Sequence, residues 1–249
     1  MSSPDSNAPH RMAFTLVELL VVVAVIAILI AILLPALGSA SARAKRVVCL
    51  NSIKQTTFGL NLFAEEHNRK YPWAIKSTEG GAVPNGFVYP YFVQASGDVG
   101  SPKVLVCAAD SDRKRANSWG TDPGGLGNTA FQDSSISYMI GLEATPDVRN
   151  MLLLADRDLK AGTGNCGVIN YSTGGGAIVN TGLGSNATWM NKIHRGGGNV
   201  ALVDGSVQQV NTPQLGVILR DPSNVPGDPN LSNCTLKPGG ANAQGATGP

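Results

Sequence analysis

Every residue from Leu19 to Leu34 is Ala, Val, Ile or Leu, and this run limits what the chain can fold into more than any other feature. A polar stretch, residues 1–13 with Pro4, Asp5, His10 and Arg11, stops abruptly at Phe14, and apolar text then continues to Leu37. At ~1.5 Å per residue, a helix over 14–37 is ~36 Å long, enough to cross a bilayer core of ~30 Å. The rest of the chain must therefore fold beside a membrane anchor. Charged residues are 14% and aromatics 6%, with 30 Gly, which suits a loop-rich, β-containing domain and not a compact helical enzyme. A net charge of +2 gives no reason to expect a nucleic-acid partner.

Glu18 is the odd residue in this run. A carboxylate among aliphatic side chains needs a partner. A cut before Phe14 would create one, since the new α-amino group is cationic and one helical turn away. The amine of a neighbouring subunit could serve equally, and a headgroup location at the helix start would also tolerate the charge.

The residues around Glu18 resemble the signal of type IV prepilins and of the pseudopilins of type II secretion. Arg11 is the basic leader residue, Ala13 the small residue before the cut, and Phe14-Thr15-Leu16-Val17-Glu18 opens the apolar run. The pattern usually has Gly where Ala13 stands. The resemblance implies a partner enzyme, a prepilin peptidase and N-methyltransferase, that cuts after Ala13 and methylates Phe14. Pro35 sits where such helices bend. Two rivals are a secretory signal cut at Ala40-Ser41-Ala42 and an uncleaved membrane helix. Arg43, Lys45 and Arg46 follow the helix, so the positive-inside rule places the domain in the cytoplasm. The resemblance implies the reverse: an inner-membrane, single-pass protein with a cytoplasmic N-terminus and an extracytoplasmic domain.

Past the anchor, Leu50, Ile53, Thr57, Leu60 and Ala64 recur at three- and four-residue steps, so the helix should continue over 38–71 and pack one stripe on a sheet. Tyr71-Pro72-Trp73 ends it. Residues 74–100 read as loop with short strands. Strands are expected over Lys103–Cys107, Ile136–Leu142 and Asn150–Ala155, with a polar loop over Asp110–Gly127 and loops over Gly162–Asn186. Asn199–Val203 and Ser206–Val210 flank Asp204-Gly205, which predicts a hairpin with a tight two-residue turn. Residues 221–249 read as a flexible tail. The expected fold class is α+β and pilin-like, with the helix on an antiparallel sheet and an exported domain over 72–220.

Cys49 to Gln55, Val104-Leu105-Val106-Cys107 with Asp110, Ser137-Tyr138, Leu152 to Asp156, and His194 separated by nine residues from Asp204-Gly205 resemble blocks of a bacterial prepilin-like family. That family carries a domain of unknown function and an H-X9-DG motif. His194 with Asp204 could orient a base or hold a metal. No nucleophile motif accompanies the pair, and a loop-fixing role for His194 against the hairpin is the plainer reading. No enzyme activity and no cofactor are expected. Four cysteines without CxxC spacing and three histidines do not make a zinc site. Cys49 with Cys107 is the first candidate for a disulfide among three pairings that four cysteines allow. Asp110-Ser111-Asp112 opens like a calcium loop, but Lys114 takes the next ligand position, so a solvated loop is expected.

The function expected is a pilin-like or pseudopilin-like structural protein of a type II secretion or type IV pilus-like assembly. Its partners would be the processing peptidase, membrane lipid and other pilin-like subunits. The rival is an exported, anchored protein that binds a glycan or other ligand through its Gly/Asn-rich loops and uses the signal for sorting.

Overall fold

The computed structural model describes residues 15–82, 87–160 and 187–220, and the backbone of the strands Ala177–Asn180 and Cys234–Lys237. The chain forms two compact units, one up to Ala44 and one from Lys45. In the first, the side chains from Leu16 to Leu37 are exposed. They belong to helix α1 (Leu16–Glu66), which is long and apolar enough to cross a membrane and contains Pro35 without ending there.

In the second unit, α1 buries Cys49, Ile53, Thr56, Thr57, Leu60, Phe63 and Ala64. The stripe has the helical period, and each fully buried large apolar side chain contributes about 1.5–3 kcal/mol. Gly59 lies on this stripe for a packing reason: a Cβ there would sit 2.7 Å from the Val99 Cα. The helix ends at Glu66, before Tyr71, through a turn in which Asn68 and Arg69 take positive φ.

The stripe covers an antiparallel sheet. Its strands are β1 (Tyr138–Gly141), β2 (Leu152–Asp156), β4 (Ala177–Asn180), β6 (Gly197–Leu202), β7 (Val207–Asn211) and β8 (Cys234–Lys237), in the order β4-β8-β1-β2-β6-β7. β3 (Leu159–Lys160) and β5 (Thr188–Trp189) pair separately. One face, carrying Tyr138, Ile140, Leu154, Ala201 and Val203, packs with the α1 stripe. The other, carrying Met139, Leu152, Ala155, Val200 and Leu202, is covered by Trp189 and by Leu215 and Leu219 of helix α4 (Thr212–Arg220). The outcome is an α+β domain with a layer on each side of the sheet.

Four expectations are corrected. Lys103–Cys107 is not a strand: Pro102–Leu105 forms a 3-10 turn, with Pro at its start and the Ser101 Oγ accepting from Lys103 N. Over 74–100 the chain makes two short helices, α2 (Tyr89–Gln94) and α3 (Ser96–Val99), and no strand among the described residues. β4 and β8 form in segments read as loop and tail, because pairing into the sheet supplies hydrogen bonds that composition does not announce. The hairpin turn is three residues long. Gly205 N donates to Leu202 O and Leu202 N to Ser206 O, and Gly205 alone in this turn has positive φ, +83°. This is a type I turn closed by a glycine bulge.

Candidate functional site

Strand β2 contains a bulge that decides what faces what. Leu152 pairs with Leu202 and Leu154 with Ala201, so Leu153 is an extra residue. Leu153 and Leu154 consequently both point to the α1 side, and the side-chain alternation beyond them is inverted. Asp156 thereby lands on the α1 side, in a row with Tyr138 on β1 and Asn199 on β6. Gly141 faces the bulge, where a Cβ would collide with the Leu152 carbonyl.

Above this row lies a disulfide between Cys49 of α1 and Cys107, Cα atoms 4.6 Å apart. His194 sits between the two. Its Nε2 is 3.4 Å from the Cys107 Sγ, 3.3 Å from the Asp156 Oδ2 and 3.2 Å from the Asn199 Nδ2. Asp156 Oδ2 accepts from Asn199 N at 2.7 Å and Asn199 Nδ2 at 3.0 Å. The Tyr138 hydroxyl donates to the Cys49 carbonyl at 3.4 Å. Asp156, His194 and Asn199 are all buried. Burial raises Asp156 to about 7 and lowers His194 to about 4, the latter helped by Arg46. His194 is therefore neutral at pH 7, and its 3.3 Å contact with Asp156 is not an ion pair. His194 Nδ1, Asp156 Oδ1 and Asn199 Oδ1 have no hydrogen-bond partner among the described residues.

Of the two motif residues, His194 lies beside Asp156, and Asp204 serves the hairpin turn. Asp204 is exposed, its Oδ1 accepting from Ser206 N at 2.8 Å in the hairpin turn. The nine-residue spacing is the length of β6 and its flanks. At the His194 end, Arg46 Nη2 donates to the His194 carbonyl at 2.8 Å. At the Asp204-Gly205 end, Asn61 Nδ2 donates to the Val203 carbonyl at 3.0 Å, and the Tyr71 hydroxyl fixes Asn61 at 2.7 Å. Arg46 and Asn61 are ~22 Å apart along a helix. The motif thus ties β6 to α1 at two points.

Asp110 is also corrected, from solvated loop to buried anchor. Arg157 grips it with both ends of its fork, Nε to Oδ2 at 2.7 Å and Nη2 to Oδ1 at 2.6 Å, and Ser137 Oγ donates to Oδ2 at 2.9 Å. A bidentate charge-assisted pair in a buried site is a strong positioning contact. The blocks around Cys49, Cys107, Ser137-Tyr138, Asp156 and His194, far apart in the chain, are neighbours here.

The cluster's chemistry is limited. The two sulfurs and the His194 nitrogen lie within 4.8 Å of one another, but joined sulfurs offer no thiolate to a metal. Among the described residues, no hydroxyl bonds the His194 ring. Cys166 lies outside the described residues, as do Ala13 and Phe14. Glu18 is described: its Oε2 accepts from Thr15 N at 2.9 Å and Thr15 Oγ1 at 2.7 Å, while Glu18 N donates to Thr15 Oγ1 at 3.2 Å. This reciprocal cap starts α1 and gives Glu18 a partner within its own helix.

Asp156, Asn199 and Arg157 were not legible as site residues. A charged triplet, Asp156-Arg157-Asp158, directly after an apolar strand was the available signal. No protein-family model, curated protein or solved structure matches the chain.

Proposed function

We propose that this chain is a membrane-anchored, pilin-like or pseudopilin-like structural subunit with no enzymatic activity of its own. The observation that carries the reading is Glu18 at the start of an exposed aliphatic helix, five residues after Ala13 and directly following Phe14-Thr15-Leu16-Val17. In this reading a prepilin peptidase cuts after Ala13 and methylates Phe14. The apolar part of α1 sits in the inner membrane beside the helices of other subunits, in a type II secretion or type IV pilus-like assembly. The domain lies outside the cytoplasm. The buried disulfide agrees with an oxidising compartment. The bonds from Arg46 to the His194 carbonyl and from Asn61 to the Val203 carbonyl support a structural use of the motif.

N-terminal sequencing of the mature protein tests the processing. A methylated Phe14 is expected; a start at Arg43 or an intact Met1 overturns it. Crosslinking in membranes tests assembly, with multimers expected from the native chain.

A further inference from the structure

We propose that the end of the domain where the chain enters it is a docking surface for anionic phospholipid headgroups, built by Lys45 and Arg46 of α1 and by Lys192 and Arg195 of the loop between β5 and β6. The inference rests on the anchor crossing a membrane, not on cleavage or on assembly.

Arg46 bonds the His194 carbonyl, which brings the loop to the first helical turn of the domain. Lys192 and Arg195 are exposed there. Of the carboxylates Asp110, Asp112, Asp156 and Asp158, only Asp112 is exposed. Asp158 Oδ2 accepts from Lys192 N at 2.8 Å and Ile193 N at 3.0 Å, and both Asp158 and Asp156 are buried. Asp110 and Asp112 are engaged by Arg157. Residues 45–64 and 187–203 contain no Asp or Glu. The side chains of Lys45, Lys192 and Arg195 make no hydrogen bond or ion pair among the described residues.

Two contrasts separate this from an ordinary solvated face. At the other end of the helix, charges are paired: Arg69 with Glu65 and Asp147, Lys70 with Glu79. Arg195 also holds φ +42°, next to Gly196 at +79°, a conformation disfavoured for any residue with a Cβ. Glycine would suit that position better, and among the described residues none bonds the guanidinium.

Lys45 is eight residues beyond Leu37. Even fully extended, that segment spans at most ~29 Å. Lys45 is thus tethered within that reach of the apolar run. Lys and Arg close to an anionic surface are each attracted to it, through contacts that salt weakens.

The test uses the full chain reconstituted in nanodiscs of phosphatidylcholine, with or without phosphatidylglycerol. Amide hydrogen exchange is read over residues 190–197. Exchange should slow in the anionic discs, roughly fivefold per basic residue engaged, and recover in high salt. The double variant Lys192→Gln, Arg195→Gly should abolish the difference. Gly fits the backbone at 195, and an unchanged melting temperature in phosphatidylcholine discs shows that the fold holds. Equal exchange in the two lipids overturns the proposal. So does protection that survives the double variant, or protection that rises with protein concentration in phosphatidylcholine, which marks a second copy as the partner.

Discussion

Asp156 and His194 titrate in opposite senses, and their contributions to stability oppose each other. Asp156 is raised to about 7 by burial, above the ~3.9 of an unfolded carboxylate. Between those values the folded state holds a proton that the unfolded chain lacks. Its contribution is thus complete below pH ~4 and lost as pH rises through 7. His194 is lowered to about 4, below the ~6.5 of an unfolded imidazole, so its contribution is complete above that and lost as pH falls through 4. Across pH 4.5–6.5 the two slopes cancel. His194→Gln should leave a stability that falls with rising pH, by about 1.4 kcal/mol per unit, and Asp156→Asn one that rises. Urea midpoints across this range check both signs. Glu18 permits a separate test. Glu18→Gln keeps an acceptor for Thr15 but removes the charge. If the carboxylate pairs with an amine of a neighbouring subunit, crosslinked multimers disappear in Glu18→Gln as in Glu18→Ala; if it serves only as a helix cap, Glu18→Gln assembles normally.

Two elements depend on one residue each. The β2 bulge requires Leu153 as an extra residue and Gly141 opposite it. Deleting Leu153 removes the bulge and leaves the pairs Leu152–Leu202, Leu154–Ala201 and Ala155–Val200 in register, so Asp156 stays on the α1 side. The expected result is a chain that keeps the Cys49–Cys107 bond shielded from reductant but loses about 2–5 kcal/mol in urea, because the buried Leu153 side chain is gone. Gly59→Ala tests how closely α1 approaches its neighbours. The added Cβ meets backbone atoms of Asp98 and Val99, which cannot swing aside as a side chain can. A loss of about 1–3 kcal/mol is expected by thermal or chemical denaturation, although alanine is the better helix former.

Over the whole molecule, the disulfide and the motif hold the helix to the domain by different means. Cys49 and Cys107 are separated by 58 residues. In the chain-entropy account, a closed loop of that length stabilises the fold by about 4 kcal/mol. Cys49→Ala with Cys107→Ala should lower stability by about 2–5 kcal/mol in denaturant. The contacts at Arg46 and Asn61 should remain, so the fold is expected to persist at low temperature by circular dichroism.

The aliphatic run, the buried stripe from Ile53 to Ala64 and the hairpin around Asp204-Gly205 were legible in the sequence. Each is local, set by an uninterrupted apolar stretch, a helical period or a turn-forming pair. The partner of His194 was not. Strict alternation along β2 would have turned Asp156 away from the disulfide, and the inserted Leu153 that inverts it has no signature in an apolar string. Nor did composition show that Asp110 is buried, because its partner Arg157 is brought to it by the fold. The long apolar helix, its continuation into the domain and the α+β class could be read from the chain alone, since they follow from the periodicity of neighbouring residues. That Cys49, Cys107, Asp156, His194 and Asn199 form one buried cluster is visible in the fold alone, because their meeting depends on strand register and on close approach between segments distant in the chain.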